Sequence, residues 1–323
     1  MVCAAVYWRV ARRRTAQGPY RGRDAVAAAL GALALAASVA RAAPAGQQPL
    51  VAGVAWPDRS LPVVVDLSEL PAEWQPAARA ALAAWNAAGA RLWYVEADGP
   101  APPNAVRLRP ASPLHVCGGQ WQPVACTYPF VYQFAPQYLS RAEVLIAPER
   151  LRPERQQWPR QPVTLAALLV HELGHAAGLG PADDPGSALH PAAQQPAPSA
   201  ADRDALRALY GEAYGPRALA PPRPLAPAPV TAVAAPVVLR WEPVPAAFGY
   251  YVQLLDEALY TLQDGIVDLD FGYYLVDTST TDTELPVPQP LPAGEYRWRV
   301  KARTPAGNSP WTAPIPFRVE SAP

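Results

Sequence analysis

"HELGHAAGLGPADDPGSALHP", residues His171 to Pro191, decides how the first half of the chain is read. On an α-helix, His171 and His175 lie one turn apart on the same face, so both imidazoles reach one ion. Glu172 is offset around that helix and stands beside the ion, outside its ligand set. From there it can take a proton from a metal-bound water and pass it to a leaving amine. Gly178 lets the helix end in a left-handed turn that swings the chain back toward the ion. The preceding "LAALLV" makes the helix a buried one, and the chain holds only 4 histidines. Two of them at ligand spacing around a glutamate, on a buried helix, favour a metal over a chance pairing.

Working outward, the motif helix spans "TLAALLVHELGHAAGLG", with Thr164 as its N-cap. A further helix, "SAADRDALRALYG", starts at Ser199 with an acidic first turn and stops before Gly211. Upstream, Pro71 to Ala88 reads as a helix with Trp74, Ala78, Ala81, Leu82 and Trp85 at helical spacing, ended by Gly89. Strands are expected at Leu61 to Leu67, in "RLWYVEA", in "AVRLRP" and at Ala142 to Pro148. These elements make one region, residues 50–214. The proline-rich 215–229 reads as an extended, semi-rigid linker. Residues 230–320 then change character: "VVLRWEPV", "YYVQLLD", "YYLVD", "EYRWRVKAR" and "PFRVE" are short strands between Gly, Pro and Asp turns, as in a β-sandwich.

The N-terminus reads as an export signal over residues 1–42. Six arginines (Arg9, Arg12, Arg13, Arg14, Arg21, Arg23) precede an apolar run from Ala25 to Val39, and Ala40-Arg41-Ala42 has small residues where signal peptidase reads. An uncleaved helix is the alternative. The run is short and alanine-rich for a membrane anchor, so no span is expected after cleavage and the product is secreted, extracellular or periplasmic. Export gives the cysteines a meaning. Cys3 leaves with the signal, and Cys117 and Cys126, nine positions apart, are expected to pair as a disulfide. A zinc site is the weaker alternative, because neither lies in a C-x-x-C pair. Across 323 residues, 27 basic and 27 acidic side chains cancel, with no basic stripe to recruit nucleic acid.

"HELGHAAGLG" followed by "DDPGSALHP" and "ADRDALRALYG" resembles the catalytic core of the matrixins, secreted zinc endopeptidases of the metzincin group. The upstream "AAWN" and "EVLIAP" are similar as well. The resemblance implies an α+β metzincin-like domain, a twisted sheet plus active-site helix. It implies Zn2+ held by the three histidines of H-E-x-x-H-x-x-G-x-x-H, with a methionine turn beneath. Carried over, His171 and His175 are ligands, Glu172 is the general base and Gly178 is the turn glycine. A protein or peptide is then the substrate. The cysteine that keeps latent matrixins capped is missing between the expected cleavage site and Leu50.

Two positions depart from this pattern. Leu189 replaces the turn methionine, a near-isosteric apolar exchange. Pro181 stands where the third histidine belongs, and proline has no side-chain lone pair to give. Three readings remain open: Asp183 or Asp184 completes the site, His190 completes it, or no third protein ligand exists. Sliding to Asp183 requires moving the backbone by about 7 Å. His115, near the cysteine loop, reads as a surface or structural histidine.

The C-terminal region resembles a fibronectin type III domain. Trp241 takes the core position of its second strand, Tyr251 lies on the third, and Tyr296 stands at the corner before "RWRVKA", where its hydroxyl bonds back to the backbone. Nothing in it looks catalytic, and its expected partner is a polymer or surface. The sequence therefore points to an exported zinc endopeptidase with an all-β accessory domain. A matrixin-shaped binding or adhesion protein that has lost its third ligand is the alternative.

Overall fold

The computed structural model describes residues 53–112, 124–132, 135–151, 163–192, 194–257 and 274–320. The expected export signal, His115 and Cys117 lie outside them. In the first region the strands β1 (Val63–Asp66), β2 (Tyr94–Glu96), β3 (Val106–Pro110), β4 (Ala125–Val131) and β5 (Leu139–Ile146) form one sheet in the order β2-β1-β3-β5-β4. Neighbours are parallel except β4, which runs antiparallel to β5 at the edge. Sequence reading missed β4. Pro129 breaks the pattern of a central strand, but an edge strand tolerates a residue with no N–H to give. "RLWYVEA" contributes only Tyr94–Glu96.

Four helices accompany the sheet: α1 (Gln75–Asn86), the one-turn α2 (Pro148–Leu151), α3 (Leu165–Ala176) and α4 (Ala200–Tyr210). α1 starts four residues later than expected, with Pro76 in its first turn, where a missing N–H costs nothing. It buries Ala78, Ala81, Leu82 and Trp85, the stripe expected from spacing apart from the partly exposed Trp74. α3 is capped by Thr164, whose side chain accepts from Ala167 N. All ten residues Ala167–Ala176 are buried, so α3 is an interior helix with sheet and α1 around it. α4 begins with a capping box in which Ser199 and Asp202 satisfy each other's backbone N–H.

The remaining strands are β6 (Pro224–Ala226), β7 (Thr231–Val233), β8 (Val238–Trp241), β9 (Gly249–Asp256), β10 (Val276–Thr280), β11 (Glu284–Pro286), β12 (Gly294–Thr304), β13 (Gly307–Asn308) and β14 (Ile315–Val319). One sheet runs β10-β9-β12-β14-β7, with β13 on β12, and the second runs β11-β8-β6. The end of the proline-rich stretch thus joins the second sheet. Leu239 and Trp241 from one sheet share a core with Val252, Trp298 and Phe317 from the other, which makes this part a β-sandwich. Trp241 is buried as expected, against Tyr250 and Trp298. Tyr296 donates its hydroxyl to Pro292 O at 2.8 Å, the expected corner bond. Tyr251 lies on its strand but outside the sandwich core. Side chains alternate along β9, and Tyr250 takes the sandwich interior while Tyr251 faces the other way.

Candidate metal centre

α3 brings His171 and His175 together with Nε2 atoms 3.1 Å apart. Each ring is held from behind. His171 Nδ1 is 2.8 Å from Ala188 O, and His175 Nδ1 is 2.8 Å from Leu179 O. A carbonyl only accepts, so the network assigns the hydrogen of each neutral ring to Nδ1. Both Nε2 lone pairs then face one another with no hydrogen between them. Burial lowers both rings, His171 to about 3, which disfavours a shared proton between them. A metal cation does relieve the facing lone pairs. Two nitrogens at about 2.0–2.1 Å from a tetrahedral ion stand roughly 3.3 Å apart, close to the spacing here. The pair, with carbonyl-oriented Nδ1 atoms, fits a zinc-type ion in donor chemistry and in outer support.

Glu172, next to His171 on α3, is itself buried. Its Oε2 is 2.6 Å from the hydroxyl of Thr127 on β4. Burial pushes the carboxyl up to about 7, opposed by the Thr127 hydrogen bond. A group poised there both accepts and returns a proton near neutrality.

Among the described residues, no group of three His, Cys, Asp or Glu side chains forms. Pro181, Asp183 and Asp184 are exposed, and Asp184 turns its carboxylate onto Gly186 N at 2.8 Å. His190 is near enough for its charge to lower His171. Its Nδ1 accepts from Ala192 N at 3.2 Å, which leaves the hydrogen of the neutral ring on Nε2. Cys126 is buried on β4.

Four aromatic residues that motif reading overlooked hold α3 by its carbonyls. Trp85 Nε1 donates to Val170 O at 2.8 Å, Tyr94 Oη to Leu173 O at 2.6 Å, Trp56 Nε1 to Ala176 O at 2.8 Å and Tyr210 Oη to Ala177 O at 2.7 Å. Burial raises both tyrosines, so they stay donors. Beneath α3, Gly174 admits Leu189 and Trp85; a Cβ there would lie 2.5 Å from Leu189 Cδ2 and 2.6 Å from Trp85 Cζ2. Leu189 is itself buried and packs against α3 at Gly174. Its loop is fixed by the buried Asp202, which accepts from Ser187 Oγ at 2.5 Å and from Ala188 N at 2.8 Å.

No protein-family model matches the chain, and no curated protein matches it. Solved structures do. The fn3 domain of human contactin 1 is 17% identical and covers 32% of this chain and 82% of its own, with a TM-score of 0.23. A fibronectin type III domain derived from human KIAA0970 protein is 18% identical and covers 32% of this chain and 74% of its own, with a TM-score of 0.22. Fibronectin type III-like neighbours therefore span about a third of the chain.

Proposed function

We propose that the chain is an exported zinc-dependent endopeptidase of matrixin type, with its fibronectin type III-like sandwich as a non-catalytic part. The observation that carries this is the pair of facing Nε2 atoms, 3.1 Å apart, on the same buried helix as the Glu172 carboxyl. His171 and His175 would hold the ion. Zinc, when bound, polarises a carbonyl and acidifies a water. Glu172, hydrogen-bonded to Thr127, would be the residue that accepts and returns a proton there. Among the described residues β4 is the edge strand of the sheet and borders α3 through Thr127, and an extended peptide would pair along such an edge. A Cys117–Cys126 bridge, read from the spacing of the two cysteines, would accord with an oxidising compartment. Among the described residues no helix is long and apolar enough to cross a membrane.

The test is zinc content of the purified full chain together with cleavage of casein or gelatin. Stoichiometric zinc and activity abolished by Glu172→Ala are expected; failure to bind zinc, or activity that survives the substitution, overturns the proposal. Pro181 at the position of the third histidine favours one second reading, a matrixin-shaped binding protein without turnover. Activity removed by a chelator and restored by zinc disposes of it.

A further inference from the structure

We propose that the sandwich is an intramolecular clamp on the metal-site helix, acting through residues 54–61. This segment has two differently held ends. At the first, Trp56 donates its indole N–H to Ala176 O, and its backbone N–H to Tyr210 Oη at 3.0 Å, which itself donates to Ala177 O. Gly178, at φ +87°, has no room for a Cβ, which would lie 2.3 Å from Val54 O. The turn supported here, residues 176–179, carries Leu179 O, the carbonyl that orients His175.

The second end belongs to the sandwich. Lys301, wholly buried on β12, donates Nζ to Arg59 O and, at 2.8 Å, to Leu61 O. Its charge also lies 4.5 Å from the ring centre of Trp311. A buried ammonium needs such partners, and here two of them are carbonyls of the other region. Asn308 Nδ2 donates to Asp58 O at 2.6 Å, and Tyr251 Oη to Asp58 Oδ2 at 2.7 Å. Arg59 pairs with Asp277 at 2.5 Å. The neighbouring strand entry is held as well. Trp93 Nε1 donates to Asn308 O at 3.1 Å, and Gly307, at φ +122°, lets Arg91 O approach to 2.8 Å from where a Cβ would stand.

Only Pro57 separates Trp56 from Asp58, so both grips act on one short, stiff piece of chain. A sandwich on a flexible tether would not bury a lysine in the other region's backbone. The clamp therefore sets the segment on which the turn after His175 rests. Its effect on metal affinity rests on the proposed zinc site, whereas the clamp itself does not.

The test is hydrogen exchange of the full-length, metal-free protein against Lys301→Met and Tyr251→Phe. The Gly178 and Leu179 amides are bonded to His175 O and Gly174 O and report on the turn. They are expected to exchange about tenfold faster in Lys301→Met and about threefold faster in Tyr251→Phe, with the β5 amides unchanged. Rates at 178 and 179 within about twofold of the parent in both variants overturn the clamp, as does equal acceleration in β5, which signals general loosening. Should Lys301→Met not fold, Tyr251→Phe decides by the same criteria. Because no metal enters the measurement, failure of the zinc reading leaves this result intact.

Discussion

Thr127 Oγ1 stands 2.6 Å from Glu172 Oε2 and 3.0 Å from the same residue's backbone carbonyl, so one hydroxyl hydrogen faces two acceptors. With Glu172 ionised, the hydrogen goes to the carboxylate. With Glu172 protonated, the carboxyl donates to Oγ1 and the hydroxyl turns to the carbonyl. The contact survives both charge states, which suits a group that must accept a proton and then release it.

The same carboxyl makes stability depend on pH. In the metal-free protein Glu172 titrates at about 7 against an ordinary 4.5. Between those values the unfolded chain is ionised and the folded one is not. The folded state then holds more protons, and stability falls as pH rises. His171, lowered to about 3 from 6.5, acts in the opposite sense: its unfolded form binds the extra proton, so stability falls as pH drops below 6.5. The two trends oppose one another between 4.5 and 6.5, and His175, lowered as well, adds to the histidine side. Glu172→Gln removes one of them. Its stability relative to the parent is expected to climb from pH 4.5 to 7 by about 3 kcal/mol. Urea unfolding in a chelator across that range checks this, and a constant difference contradicts it.

Gly174→Ala should reverse the usual preference for alanine in helices. An exposed helical site gains about 1 kcal/mol from this exchange. Here the added methyl meets Leu189 and Trp85, both buried, and Trp85 is fixed through Val170 O. Overpacking of this kind costs about 1–3 kcal/mol, so a net loss in chemical unfolding is expected.

Much of this arrangement is legible in the sequence because it is local. The facing histidines follow from a spacing of four, the Thr164 cap and the Ser199 box from residue type, and the α1 stripe from periodicity. Long-range contacts leave no such signature. Nothing in the spacing of Trp56, Tyr94 and Tyr210 marks them, yet each donates to a carbonyl of α3 or its C-terminal turn from far along the chain. Lys301 lies in an alternating strand where a lysine reads as solvent-facing, and only the docked first region turns its environment into an interior. β4 was hidden by Pro129, whose missing N–H matters only where a second neighbour needs it.

Asp202→Asn is expected to weaken metal binding without touching a ligand. Asp202 accepts from Ser187 Oγ, Ala188 N and Ser199 N. An asparagine offers one oxygen and turns an NH2 toward the remaining donors. Leaving buried partners unmet costs about 1–3 kcal/mol. Ala188 O, the carbonyl behind His171, moves with this loop, and losing such outer support typically lowers affinity about 10–100-fold. Zinc titration against a competing chelator, with the folded fraction measured alongside, separates this effect from simple unfolding.

Pro181→His tests the incomplete donor set directly. The chain turns back after Gly178, and the matrixin pattern puts the third imidazole at this position. A third nitrogen added to two preoriented ones converts a loose site into the three-ligand arrangement that catalytic zinc normally has. Zinc affinity is expected to rise by at least about tenfold, roughly 1.4 kcal/mol. Asp183→Ala, Asp184→Ala and His190→Ala should each leave the parent affinity within about threefold, since none joins the pair in a three-ligand group. A large loss in any one of the three identifies it as the native third ligand, and in that case Pro181→His gains little, because the position it would fill is already taken.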